Sequence, residues 1–111
     1  MKKLTLSLII FSVLVSITIT AKAEVTILGD RSCGTWINDR KENGVGMLYQ
    51  SNWLMGYLAG MSVELNKDLL RNTDMDSLNF WVDNFCKNNP LDTLTIAGRK
   101  LEIELIKREH H

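Results

Sequence analysis

The chain has 111 residues with 13 basic and 13 acidic side chains, and it contains two cysteines, two histidines and one proline. This length suits one domain. The charge is balanced, and no basic stripe with interleaved aromatic side chains is present, which argues against a nucleic-acid-binding protein.

The amino-terminal residues have the layout of an export signal. Residues 1–3 are a basic start, residues 4–20 are an uncharged apolar run, and Ala21 and Ala23 supply the small side chains that signal peptidase recognises. We therefore expect residues 1–23 to be a cleaved signal peptide and residues 24–111 to form a single helical domain in the periplasm. An uncleaved membrane anchor is the alternative, although the apolar run is short for a membrane span. Residues 24–111 keep 10 basic and 13 acidic side chains, a formal charge of −3.

Two helices are predicted in the first half of this domain. Ser32 is a good N-cap for a helix over residues 33–42, whose apolar side contains Trp36 and Ile37. The glycines of residues 43–46 favour a turn. A longer helix is predicted over residues 48–67, because apolar side chains recur there at steps of three and four: Trp53, Leu54, Tyr57, Leu58, Met61 and Leu65.

Two more helices are predicted after a polar loop over residues 66–73. The third covers residues 76–87, with N-cap candidates at Thr73, Asp74 and Asp76 and an apolar stripe at Leu78, Trp81, Val82 and Phe85. Asn89 and Pro90 favour the start of a fourth helix, which reaches residue 107 and buries Leu91, Leu94, Ala97, Leu101 and Leu105. The predicted fold class is all-α, a compact four-helix domain with one disulfide.

The disulfide is predicted from the cysteine pair and the export signal. In an oxidising compartment Cys33 and Cys86 are expected to bond to each other, joining the first and third helices. A redox pair normally has Cys-x-x-Cys spacing, and a metal site needs more ligands than the terminal His110 and His111 supply. In the chain-entropy model a disulfide across this separation stabilises the fold by roughly 4 kcal/mol.

The second helix also contains candidate binding residues. Gly56 and Gly60 lie four residues apart, and each costs about 1 kcal/mol relative to alanine in a helix interior. Close approach of another helix of the same domain is the favoured explanation, and a groove for a partner's side chain is the alternative. Large or adaptable side chains near these glycines, and one aromatic residue off the third helix stripe, complete the predicted partner-binding set: Trp53, Met55, Gly56, Tyr57, Gly60 and Phe80.

No catalytic constellation is visible in the sequence. Asp74, Asp76 and Asp83 are the nearest approach to paired carboxylates, and helix caps and solvated surface explain them better. A nucleophile with an adjacent base is missing, so we expect a non-enzymatic protein without a cofactor or a metal.

Three motifs carry a resemblance to known families: Ser-Cys-x-x-Trp from Ser32, Trp-Leu-x-Gly-Tyr-Leu-x-Gly from Trp53, and the Trp81 to Pro90 junction. The chain resembles the small periplasmic proteins of the HdeA type, and this resemblance implies a compact helical domain with one disulfide and acid-stress chaperone activity. The glycine helix and the Asn-Pro junction also resemble the Rap1a/Tai group of immunity proteins, which implies inhibition of a secreted peptidoglycan amidase.

The leading functional hypothesis is therefore an exported protein-binding module of the periplasm, in the form of an HdeA-like chaperone. The alternative is a dedicated inhibitor of one effector protein. The expected partner is a protein client or target, with a homodimer left open, and neither a nucleic acid nor, after signal cleavage, a membrane is expected.

Overall fold

A computed structural model describes residues 19–110, and within this range the chain forms four α-helices. They are α1 (Cys33–Glu42), α2 (Val45–Leu65), α3 (Met75–Asn88) and α4 (Leu94–Glu109). The all-α, four-helix prediction is therefore confirmed. The predicted signal lies mostly outside the described residues. Within residues 19–110 no helix combines the length and the apolar character that crossing a bilayer requires.

The turn between α1 and α2 is shorter than predicted. Ser32 caps α1 by accepting a hydrogen bond from the Thr35 amide, and Asn43 ends α1 in the left-handed conformation. The next helix begins only two residues later, so Gly46 lies inside α2 rather than in the turn. A Cβ atom at Gly46 would lie 2.7 Å from the Asp39 carboxylate. The glycine therefore allows α1 and α2 to approach closely here, instead of breaking the helix.

The predicted start of the fourth helix is wrong. Asn89 caps the end of α3, where its side-chain amide donates to the Phe85 carbonyl, and α4 begins only at Leu94 with Thr93 as its N-cap. Leu91, which was predicted to be buried, is 97% exposed in the turn between the helices.

A backbone pairing explains this delayed start. Residues 31–33 and 92–94 form a short antiparallel contact, in which the Cys33 amide donates to the Asp92 carbonyl over 2.8 Å and the Leu94 amide donates to the Arg31 carbonyl over 2.7 Å. The Asp30 side chain also accepts from the Thr95 amide. The amino-terminal ends of α1 and α4 are thus held together, and residues 90–93 are not free to be helical.

One apolar core contacts all four helices. Its members include both cysteines, Trp36 of α1 and Leu69 of the loop before α3, and the helices contribute the remaining buried side chains: Leu54, Leu58, Leu78, Val82, Leu94, Ala97, Leu101 and Leu105. Most of the predicted stripes therefore lie at the centre of the fold.

Candidate protein-binding surface

A disulfide bond joins α1 to α3 in the fold that carries the candidate surface. Cys33 and Cys86 form the predicted disulfide, with 4.8 Å between their Cα atoms, and both are fully buried. In the part of the chain that the structure describes, no group of three or more His, Cys, Asp or Glu side chains could hold a metal ion.

A polar cluster of Trp36, Arg40 and Asp83 lies next to the disulfide, between the same two helices. The Trp36 indole donates to the Asp83 carboxylate over 2.7 Å, and the Arg40 guanidinium donates to both oxygens of the same carboxylate. The hydrogen bonds from Arg40 to Asp83, together with the negative charges of Asp83 and Asp76, raise the pKa of Arg40. Asp83 was predicted to be solvated surface, and this is wrong. It lies three residues before Cys86 and therefore faces α1.

The other carboxylates at this end of α3 have simpler positions. Asp74 is the N-cap of α3 and accepts from the Ser77 amide over 2.7 Å, a hydrogen bond that lowers the pKa of its carboxyl group. Asp76 lies in the first turn of the helix. Helix capping thus accounts for Asp74, as the sequence indicated.

The candidate binding surface is the solvent-facing side of α2, here called the α2 outer face. From Val45 to Val63 the helix contains no charged residue. One side of it is buried in the core, and the other is exposed although it is mainly apolar: Tyr49 is 73% and Val63 is 82% exposed. Positions at helical spacing form this face: Val45, Leu48, Tyr49, Asn52, Gly56, Ala59, Gly60 and Val63.

Three of the predicted binding residues lie at the edge of the core instead. Trp53, Met55 and Tyr57 are half-buried and pack against the core cluster. The Trp53 ring stacks on Tyr57 with 5.9 Å between ring centroids, and its indole donates to the Leu28 carbonyl. These side chains are therefore engaged within the molecule.

Tyr57 connects α2 to α4. Its ring packs against Gly98, where an added Cβ atom would lie 3.1 Å from two ring atoms, and its hydroxyl donates to the Glu102 carboxylate over 3.0 Å. Burial, followed by this hydrogen bond, raises the pKa of Tyr57 to about 12. The close helix approach that the sequence assigned to the α2 glycines therefore occurs at Gly98 of α4.

Gly56 and Gly60 face open space. A Cβ atom added at either position would meet nothing within 4 Å. The favoured prediction, that another helix of the same domain packs against them, is wrong, because α4 contacts the adjacent side of α2 through Tyr57. The two glycines leave the middle of the α2 outer face without large side chains.

Phe80 is exposed, as the sequence predicted, but it lies on α3 rather than on the α2 outer face. The structure therefore divides the six predicted binding residues into three groups: Gly56 and Gly60 on the outer face, Phe80 on a separate surface, and three side chains packed inward.

The sequence reasoning missed Leu48, Tyr49 and Val63. One signal could have identified them: α2 is uncharged over 19 consecutive residues, which is more than one buried stripe requires. A helix that is apolar on all sides is normally enclosed by other protein or by lipid, so an outward apolar side was implicit in the pattern.

Comparison with known proteins identifies no relative, since no protein-family model matches the chain and no curated protein or solved structure matches it significantly.

Proposed function

We propose that this protein is an exported, non-enzymatic protein-binding module that binds apolar segments of client proteins through the α2 outer face, and that it acts as an acid-stress chaperone. The observation that carries the proposal is the exposure of Leu48, Tyr49 and Val63 along an uncharged helix side. Large exposed apolar patches on small proteins are typical of interaction sites.

The charge balance gives acid conditions a direct effect on this surface. Residues 24–111 carry a formal charge of −3 near neutral pH. Protonation of all carboxylates and both histidines brings it to about +12. Self-repulsion on this scale loosens a small fold and increases its exposed apolar area. The Cys33–Cys86 bond joins α1 to α3 and limits how far the helices separate.

The test is suppression of client aggregation at pH 2 to 3, measured by light scattering with and without the protein. The wild type should protect the client, and the Leu48→Ser/Val63→Ser variant should protect it much less. Leu91→Ser is the matched control, because Leu91 is also an exposed apolar side chain but lies outside α2. Absence of protection by the wild type would remove the chaperone proposal.

A second candidate function is supported by the open space beside Gly56 and Gly60. Open space at these positions can accept a side chain from a specific partner, as expected for an inhibitor of one secreted enzyme such as a peptidoglycan amidase. This candidate predicts tight binding of one periplasmic protein near neutral pH. Binding should be lost in Gly56→Leu and retained in Leu91→Ser. A toxin gene adjacent to the gene for this chain would identify the partner.

A further inference from the structure

A cleft of about 500 Å³ lies between α1 and α3. Ile37, Arg40 and Lys41 line it from α1, and Phe80, Asp83 and Lys87 line it from α3. None of the lining residues belongs to α2, so the cleft is separate from the α2 outer face.

The apolar part of the cleft centres on Phe80. This side chain is 65% exposed, whereas Ile37 is half-buried and packs against the core. On its other side Phe80 borders a second cavity of about 290 Å³, which Trp81 and Leu101 also line. Phe80 is thus a ridge between two concave surfaces. Aromatic side chains beside pockets are frequent anchors of protein interfaces.

The charges around the cleft are unbalanced. Its lining contains three cations and one carboxylate, although residues 24–111 as a whole are acidic. Asp83 already accepts hydrogen bonds from Arg40 and Trp36, and the negative charge of Asp76 also attracts Arg40. Within residues 19–110, Lys41 and Lys87 form no ion pair. The cleft therefore presents two available ammonium groups.

The pairing of α1 with α3 fixes where these lysines lie. Cys33 bonds to Cys86 and Arg40 to Asp83, so the two helices run antiparallel. Lys41 consequently lies at the Phe80 end of the cleft, and Lys87 lies at the disulfide end. Lys87 follows Phe80 by seven positions, which correspond to about 10 Å of helix. An extended peptide covers about the same distance in three residues.

We propose that this cleft binds an acidic peptide segment of a partner protein. Two carboxylates about three residues apart contact Lys41 and Lys87, and an apolar side chain next to the carboxylate at Lys41 packs on Phe80. Such a segment would contact both the charged and the apolar part of the cleft lining. Charge complementarity steers the segment and fixes its register, and burial of Phe80 supplies the apolar contact.

The probe is the blocked peptide Asp-Ser-Leu-Asp, titrated into the ¹⁵N-labelled protein and followed by amide chemical shifts. Shifts should be confined to α1 and α3 around the cleft. The neutral peptide Asn-Ser-Leu-Asn is the matched control and should bind at least about tenfold more weakly. Lys41→Gln/Lys87→Gln should weaken binding of the acidic peptide by about tenfold or more. A higher salt concentration should also weaken binding of the acidic peptide to the wild type. Phe80→Ala should weaken both peptides.

The variant Leu48→Ser/Val63→Ser separates this site from the α2 outer face. It should bind the acidic peptide as well as the wild type does, even if it has lost chaperone activity. Equal affinity for the acidic and neutral peptides, an unchanged affinity in the lysine variant, or no shifts at millimolar peptide would each overturn the cleft proposal. The proposed chaperone function would stand or fall independently.

Discussion

The two faces of α2 differ in their surroundings much more than in their composition. The inner face buries Leu54 and Leu58 completely, but it also buries the polar side chains of Gln50 and Ser51. The outer face exposes Tyr49 and its apolar neighbours to solvent. Polar residues are thus enclosed on one side of the helix while apolar ones are left exposed on the other.

Stability of the isolated chain explains the residue composition of only one face of α2, the inner one. The inner face is accounted for by contacts with α1, α3 and α4. An outer face chosen for solubility alone would carry charged side chains, as surface helices usually do. The apolar outer face has no such explanation, and its exposure is the basis of the proposed binding role.

Removal of the disulfide tests the assignment of stability to the scaffold, and it has the largest expected effect. Cys33→Ser/Cys86→Ser should lower the free energy of unfolding by roughly 4 kcal/mol, because the unfolded chain is no longer constrained by a long closed loop. Chemical denaturation of the oxidised wild type and of the variant measures the difference. The variant should retain client binding under conditions in which it is still folded. Unchanged stability would contradict the role of the bond as a clamp between α1 and α3.

A matched pair of leucines compares the two faces directly. Leu58→Ala removes a fully buried side chain and should lower the free energy of unfolding by about 3 kcal/mol. Leu48→Ala, the same change on the outer face, should alter it by only about 0.5 kcal/mol. Urea denaturation gives both values. Similar losses at the two positions would mean that Leu48 also has a structural role, and the distinction between the faces would fail.

The helices were predictable because their caps and apolar stripes are local signals. Ser32 and Asp74 cap α1 and α3 as predicted, and Leu78 and Val82 occupy the predicted core stripe. The cysteine pairing was predicted from the absence of a third cysteine and from the expectation that the protein is exported to an oxidising compartment.

The features that were predicted wrongly depend on contacts between residues distant in sequence. The start of α4 is delayed by pairing with residues 31–33, which the Asn89-Pro90 signal does not report. Asp83 is held by Arg40, 43 positions away. Gly98 was overlooked because its function is defined by Tyr57 on another helix. The outer face of α2 was recognised only in part, because periodicity finds the most apolar stripe and does not show whether a second stripe is covered.

Alanine substitutions at three glycines sharpen the distinction between open and packed positions. Gly56→Ala and Gly60→Ala should each stabilise the fold by up to about 1 kcal/mol, since alanine favours the helix and its methyl group meets nothing. Gly98→Ala should instead destabilise it by about 1 kcal/mol, because the Tyr57 ring is fixed by Trp53 and Glu102 and cannot move away. Thermal denaturation would reveal the signs. A stabilising Gly98→Ala would show that the contact between α2 and α4 is loose.

The two tyrosines provide the last test. Tyr57 has its pKa raised to about 12 in the folded state, compared with about 10 when unfolded. Its neutral form is therefore favoured by folding. This contribution is fully present below pH 10 and is lost as the pH rises from 10 to 12, because the unfolded chain ionises first. In Tyr57→Phe this part of the alkaline loss of stability should disappear, at the cost of the hydrogen bond to Glu102. Tyr49→Phe, on the outer face, is the matched control and should keep the wild-type dependence. Urea denaturation at pH 9 and at pH 11.5 compares the three proteins, and an identical alkaline loss in Tyr57→Phe would mean that Tyr57 is not held against α4 in solution.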